Sequence, residues 1–136
     1  LLLTTHDLDE ADTMAERVVI IDHGRIIADD TPEALKQEHA GDRLMIATDP
    51  GPNAERLAAH LRAWESTTAV TVDEGSVVAT VTRGSRRIPE LVHLAEAHEI
   101  PVLDLQVRRP TLDDVFLTLT GRSLREAAAE TEEVAA

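Results

Sequence analysis

A histidine with two nearby carboxylates stands near the start of the chain. His6 follows a short apolar run, and Asp7 and Glu10 follow His6. An imidazole titrates near neutral pH, so it can donate a hydrogen bond to a phosphate oxygen, hold a water molecule or bind a metal ion. Asp7 also lies where a helix N-cap is expected, with Glu10 as its capping-box partner. Because a capping carboxylate is occupied, we favour contact with a bound anion and expect no metal site.

The elements around His6 determine what it could bind. Residues 1–5 are apolar and β-prone, which is typical of a buried parallel strand. Ligands of open α/β sheets bind at the carboxyl ends of such strands, where His6 would lie. After a short helix capped by Asp7, the sequence predicts a hairpin over residues 18–28 and a second helix that begins at Thr31.

The stretch from Asp42 to about Arg122 has the pattern of a second unit. Alternating apolar residues predict strands over 44–48, 70–72, 77–81 and 100–107, with a helix after the first and after the third. A last helix begins at Thr111 and stops at Gly121. The order βαββαβ is typical of a ferredoxin-like, split βαβ domain. We therefore expect an α+β protein whose four antiparallel strands are covered on one face by two helices.

Composition excludes several classes of function. The net charge of −13 argues against a nucleic-acid-binding surface, which is basic. The chain has no cysteine, which excludes disulfides and thiolate metal sites. No apolar run approaches the roughly 20 residues of a membrane helix. Residues 123–136 are rich in Ala and Glu without an apolar stripe, so we expect an acidic flexible tail.

The first part of the chain resembles the C-terminal part of ABC-transporter ATP-binding subunits. The matching segments are LLLTTHDLDEAD (1–12), AERVVIIDHGRIIA (15–28) and TPEAL (31–35). The resemblance aligns His6 with the switch histidine of the H-loop, which in that family contacts the γ-phosphate of ATP. It implies that residues 1–41 are the C-terminal remnant of a P-loop NTPase α/β domain, and that His6 is the catalytic and nucleotide-binding residue.

A second motif narrows the resemblance. The segment RPTLDDVFLTLTGR (109–122) is similar to the C-terminal motif of the daunorubicin/doxorubicin-resistance branch, whose members serve ABC-2 drug or polyketide exporters. This implies that residues 42–122 form a ferredoxin-like accessory or regulatory domain. The candidate regulatory or interface residues are Leu112, Asp113, Asp114, Val115, Phe116 and Leu117. A capped amphipathic helix explains the apolar members of this set equally well.

The sequence also departs from the family pattern. It contains no Gly-rich phosphate loop, no ABC signature and no acidic pair before His6, which together supply most of a phosphoryl-transfer site. We therefore expect the 136-residue chain alone to be inactive and to bind ATP weakly, whereas a full-length subunit would use ATP and Mg²⁺.

The resemblance implies partners and a location. The expected partners are an ABC-2 type permease and a second ATPase subunit, with no nucleic acid and with membrane contact only through the permease. The expected location is cytoplasmic, on the inner face of the plasma membrane. Two alternatives remain open: a stand-alone regulatory or dimerisation module formed by residues 42–122, and a metal-dependent hydrolase built on His6.

Overall fold

The chain divides into two compact units. The computed structural model describes residues 1–121 and Ala129. One unit, the terminal unit, combines Leu1–Ala40 with the described residues from Pro110 onwards, and the other, the central unit, is Gly41–Arg109. The predicted boundary between residues 41 and 42 lies one residue from the observed one. The predicted second unit also included the last helix, which the structure groups with the first segment instead.

Over residues 1–40 and 110–121, the terminal unit consists of short helices and a hairpin. Its elements are α1 (Leu8–Met14), β1 (Val18–Asp22), β2 (Arg25–Asp30), α2 (Pro32–His39) and, after the central unit, α5 (Leu112–Thr120). β1 and β2 form a two-stranded antiparallel sheet. Its turn has positive φ at both His23 (49°) and Gly24 (72°), as a type I′ hairpin turn requires.

A small apolar core explains why α5 belongs to the terminal unit. The buried members of this core come from β1, α2 and α5: Val18, Ile20, Leu35, Leu112, Val115 and Phe116. The apolar face of α5 therefore packs against elements that precede it by about 80 residues. Periodicity alone identifies this face but does not indicate which neighbour covers it.

The expected strand over residues 1–5 is absent. No secondary structure is assigned there, and Leu1, Leu2 and Leu3 are largely exposed. A strand requires partners for its backbone N–H and C=O groups. Within the described residues, no strand pairs with this segment. The prediction of a strand was therefore wrong for this chain, although the apolar pattern on which it was based is present.

The central unit is built on one four-stranded sheet. Its elements in chain order are β3 (Asp42–Thr48), α3 (Pro52–Arg62), β4 (Thr67–Asp73), β5 (Ser76–Val81), a short 3₁₀ turn (Gly84–Arg87), α4 (Ile88–Ala97) and β6 (Val102–Arg108). The strand order is β4-β5-β3-β6, and every neighbouring pair is antiparallel. This confirms the predicted α+β class with an antiparallel sheet.

Helices α3 and α4 supply the core on one face of this sheet. Inward residues of β3 and β5, such as Leu44 and Val77, share an apolar cluster with Leu57 of α3 and Leu91 of α4. Trp64 belongs to the same cluster and is 9% exposed, but it follows α3 rather than lying on it.

No helix of the described residues is long and apolar enough to cross a membrane.

Candidate functional site

His6 lies in the bend that leads into α1. The Asp7 side chain caps this helix by accepting a hydrogen bond from the Glu10 backbone N–H at 3.0 Å. The Asp7 N–H donates to Thr5 Oγ1 at 2.9 Å instead of to the Glu10 side chain, so the predicted capping box between Asp7 and Glu10 does not form. His6 is exposed and, in the part of the chain that the structure describes, its side chain has no hydrogen bond or ion pair.

The surroundings of His6 do not form a metal or nucleotide site on their own. Among the described residues there is no group of three or more His, Asp or Glu that could hold a metal ion. ATP with Mg²⁺ needs a phosphate cradle and carboxylate ligands for the metal. Because His6 is exposed and the described residues around it supply neither a phosphate cradle nor a group of metal ligands, these residues do not fit ATP with Mg²⁺ by themselves.

An ion pair joins α1 to α2 in the terminal unit. Lys36 Nζ lies 2.9 Å from Asp12 Oδ1 and 3.0 Å from Oδ2, and its side chain is only 16% exposed. Glu33 Oε2 lies 3.6 Å from the same ammonium group. This contact holds the helix that follows His6 against α2, so it positions the segment that carries His6.

The α5 motif separates into buried, capping and exposed residues. Leu112, Val115 and Phe116 are buried in the terminal core. Asp114 completes a capping box, because its Oδ2 accepts from the Thr111 N–H at 2.9 Å while the Thr111 hydroxyl accepts from the Asp114 N–H at 3.3 Å.

Two members of the motif remain available to a partner. Asp113 is exposed, and Leu117 is 49% exposed although it is apolar. The candidate interface predicted from six residues of α5 thus reduces to two residues that another molecule could contact without disturbing the helix.

Arg87 of the central unit contacts an aromatic ring and forms several side-chain hydrogen bonds. Its guanidinium carbon lies 4.2 Å from the Trp64 ring centroid, and Nη1 donates to Ser66 Oγ at 2.6 Å. Nε and Nη2 donate to the two Glu90 carboxylate oxygens at 2.9 and 2.7 Å. The side-chain hydrogen bond from Arg87 lowers the pKa of Glu90 below its ordinary value of 4.5. Arg87 therefore fixes the start of α4 to the segment that follows α3.

A matching pair lies in the terminal unit. Arg17 Nε donates to Asp29 Oδ1 at 2.7 Å, and this hydrogen bond lowers the pKa of Asp29 below its ordinary value of 3.8. Both groups are well exposed, which limits the contribution of the pair to stability.

Two histidines that sequence spacing does not connect lie together in the central unit. The rings of His60 and His98 stack with centroids 4.0 Å apart. Arg56 Nη2 donates to the His98 backbone carbonyl at 2.9 Å, which joins the first half of α3 to the C-terminal end of α4. The two histidines are 38 positions apart, so only the antiparallel fold brings them together.

Comparison with known proteins identifies the family. The model of the family described as "ATP-binding protein DrrA1-3-like, C-terminal domain" matches residues 31–120. The chain belongs to this family. The match includes the whole central unit together with α2 and α5, so the C-terminal domain of DrrA1-3-like proteins comprises elements of both units.

Curated relatives agree with this assignment. The chain is 38% identical to daunorubicin resistance ATP-binding protein DrrA2 of Streptomyces coeruleorubidus over 95% of its length, and 40% identical to DrrA3 of the same species over 93%. It is 34% identical to linearmycin resistance ATP-binding protein LnrL of Bacillus subtilis over 92%. The chain spans about 40% of the length of these relatives. The predicted resemblance to the daunorubicin-resistance branch is thereby confirmed.

Proposed function

We propose that this chain is the C-terminal part of the ATP-binding, ATP-hydrolysing subunit of an ABC-type drug or polyketide exporter. The observation that supports this most directly is the family match over residues 31–120, together with 38–40% identity to two daunorubicin resistance ATP-binding proteins. The names of these relatives state ATP binding and drug resistance. Coupling to an ABC-2 type permease, a second ATPase subunit and a place on the cytoplasmic face of the membrane are parts of the same proposal.

Each unit has a role in this proposal. Residues 1–41 are the closing segment of a P-loop nucleotide-binding domain, and the exposure of Leu1, Leu2 and Leu3 suits a strand whose neighbours lie in another part of that domain. The central unit is a ferredoxin-like accessory domain. Its βαββαβ order and its sheet order β4-β5-β3-β6 support that assignment.

His6 is proposed to contact the γ-phosphate of ATP in the full-length subunit, where the remaining phosphate and Mg²⁺ ligands are present. Its position supports the role, because it is exposed immediately before a capped helix and no described residue competes for its imidazole. Asp113 and Leu117 of α5 are proposed as regulatory or interface residues, since they are the exposed members of the family motif.

The test compares the 136-residue chain with the same chain extended by its own upstream coding sequence. We expect ATP hydrolysis from the extended protein only, and its loss in a His6→Ala variant. His93→Ala is a matched control, because His93 is exposed on α4 in the central unit. An extended protein that binds and hydrolyses no ATP would contradict the proposal and favour a stand-alone regulatory module. Tight ATP binding by the short chain would contradict the assigned site.

A further inference from the structure

The sheet of the central unit has one face that its helices do not cover. Side chains of β3 and β5 that point towards α3 and α4 form the core, and the alternate side chains point to the opposite face. We call this opposite side the open face. An open face on an antiparallel sheet is usually polar and solvated, so the types of its residues and their register are informative.

Strand register arranges the open face in three rows. At one end, Arg43 of β3 lies directly opposite Arg108 of β6. In the middle row, Met45 of β3 lies opposite Val78 of β5, and both are only partly buried.

The row at the other end is acidic. Asp104 of β6 is the register partner of Ala47, and Asp73 of β4 is the register partner of Ser76; Ala47 and Ser76 are partners of each other. The face is therefore basic at one end and acidic at the other, and its middle row has Met45 and Val78 at the centre between Thr71 and Gln106.

The two arginines are a costly arrangement for an isolated sheet. Like charges directly opposite on neighbouring strands repel each other and destabilise the pair. Arg43 and Arg108 are exposed, and neither forms an ion pair with any residue of the described chain. At the acidic end, the contact recorded for the Asp104 carboxylate with another side chain is a 2.9 Å hydrogen bond from Gln106 Nε2, which leaves its charge uncompensated.

We propose that the open face binds the open face of a second copy of this chain through an isologous two-fold contact. In such a contact, if residue i of one copy touches residue j of the other, then j also touches i. A two-fold axis in the plane between the sheets and perpendicular to the strands reverses strand direction. It places the Arg43–Arg108 end of each copy over the Asp73–Asp104 end of the other.

With this axis, an arginine of each copy faces an aspartate of the other, and the apolar residues of the two copies face each other. Arg108 of each copy lies over Asp104 of the other, and Met45 and Val78 of the two copies meet in the middle. The other in-plane axis, parallel to the strands, would place β6 over β4, so that Asp104 of each copy faces Asp73 of the other and Arg108 faces no carboxylate. The charge pattern thus selects one of the two face-to-face arrangements.

The size of the face predicts a weak dimer. Four strands about 4.8 Å apart and three rows about 6.8 Å apart give roughly 400 Å² per copy. A standard stable interface buries about 800 Å² per partner, so this contact has the size of a transient one. We expect a dissociation constant on the order of 100 μM for the chain in solution, weakening as salt screens the charges. The proposal depends only on the central sheet and not on the ATPase assignment.

Analytical ultracentrifugation of the 136-residue chain over a range of concentrations tests this. We expect Arg108→Asp and Asp104→Arg each to weaken self-association at least tenfold. An equimolar mixture of the two variants should associate again. In the mixed dimer, position 108 of each copy again carries a charge opposite to that of position 104 in the other copy. Arg86→Asp in the 3₁₀ turn and Glu96→Arg on α4 change the charge equally but lie off the face, so they should leave association unchanged.

Several results would overturn the proposal. One is a wild-type chain that stays monomeric up to about 1 mM, which is tenfold above the expected dissociation constant. Another is self-association that is unaffected by Arg108→Asp. A third is a mixture of the two variants that does not associate. Association through the exposed Leu1–Leu3 segment would persist in both charge variants and would not depend on mixing them. If either variant unfolds, as judged by circular dichroism, Arg108→Glu and Asp104→Lys supply a second pair with the same signs.

Discussion

The two units of this chain bury their apolar side chains to different extents. The central unit is one continuous segment whose sheet and helices enclose a core of their own. The terminal unit combines two distant segments around a small core, and it holds eight of the ten large apolar residues that are exposed in the described chain. These include Val19 and Ile21 of β1 and Ile26 of β2. A unit with this much uncovered apolar surface is expected to use a further surface to complete its burial.

The comparison shows that family membership and folding independence are separate properties. The family match extends from residue 31 to residue 120, so it includes α2 and α5 of the terminal unit as well as the central unit. By contacts, however, Gly41–Arg109 is the self-contained part.

Residues 41–109 produced alone should fold. Because both helices and all four strands of the central core lie within this segment, we expect a single cooperative urea transition. Residues 1–40 alone should show no such transition, since α5 supplies half of the buried terminal core. Circular dichroism during urea titration measures both. A gradual, non-cooperative loss of signal from residues 41–109 would contradict the distinction between the units.

Truncating one core side chain in each unit should affect the units unequally. Phe116→Ala removes a ring that is 5% exposed, and Leu61→Ala removes a side chain that is fully buried. Such changes cost about 2–5 kcal/mol of unfolding free energy. Hydrogen exchange should show that Phe116→Ala reduces protection in the terminal unit while the amides of β3 and β5 stay protected.

Leu61→Ala should instead reduce protection in the central sheet. Leu117→Ala is the control for both, because Leu117 is half exposed on α5. If both core variants reduced protection uniformly along the chain, the two units would be a single cooperative body.

Removing the α5 cap should have a smaller effect that is confined to the terminal unit. Thr111→Ala removes the hydroxyl that accepts from the Asp114 N–H. Loss of an N-cap costs about 1 kcal/mol. Thr111→Ser retains the hydroxyl and should retain most of the stability. Thermal unfolding of the two variants provides the measurement, and equal losses for Ala and Ser would argue against capping as the cause.

The smallest effects concern the exposed ion pairs of the two units. Because the folded-state pKa values of Asp29 and Glu90 are lowered, each pair stabilises the folded state at pH values above the ordinary pKa of its acid. This stabilisation is lost as the pH falls through the lowered values. The Asp29→Asn and Glu90→Gln variants should therefore unfold at a slightly lower temperature than the wild type at pH 7. In acid, the variants and the wild type should unfold at the same temperature. A difference from the wild type that stays constant with pH would exclude the ion pairs as its source.

Local patterns in the sequence predicted most of the elements. Positive φ at Glu74 and Gly75 matches the turn expected between β4 and β5, and the Thr111–Asp114 capping box was visible in the residue order. Local signals were sufficient because turns and caps depend on residues within about four positions. The covering of α5 by α2 and the hairpin was not predictable, since amphipathicity indicates an apolar face without naming its partner.

The candidate site was predictable only as separate residues. The position of His6 before a capped helix follows from Asp7, and the structure places His6 in an exposed bend rather than at the end of a strand. The strand expected before His6 failed because strand formation depends on neighbours that the local sequence does not specify. The opposition of Arg43 to Arg108 likewise became evident only from strand register, which the structure defines.

The pairing of β3 with β6 also has a consequence for chain entropy. Since Arg43 and Arg108 are register partners, the polypeptide leaves the central unit one strand spacing from where it begins. If the central unit were unfolded, bringing α2 and α5 together would close a flexible loop of roughly 70 residues, at a cost of about 4 kcal/mol. Folding of the central unit removes that cost before the terminal core forms. The central unit would thus stabilise the terminal unit by holding the two ends of the connecting chain close together.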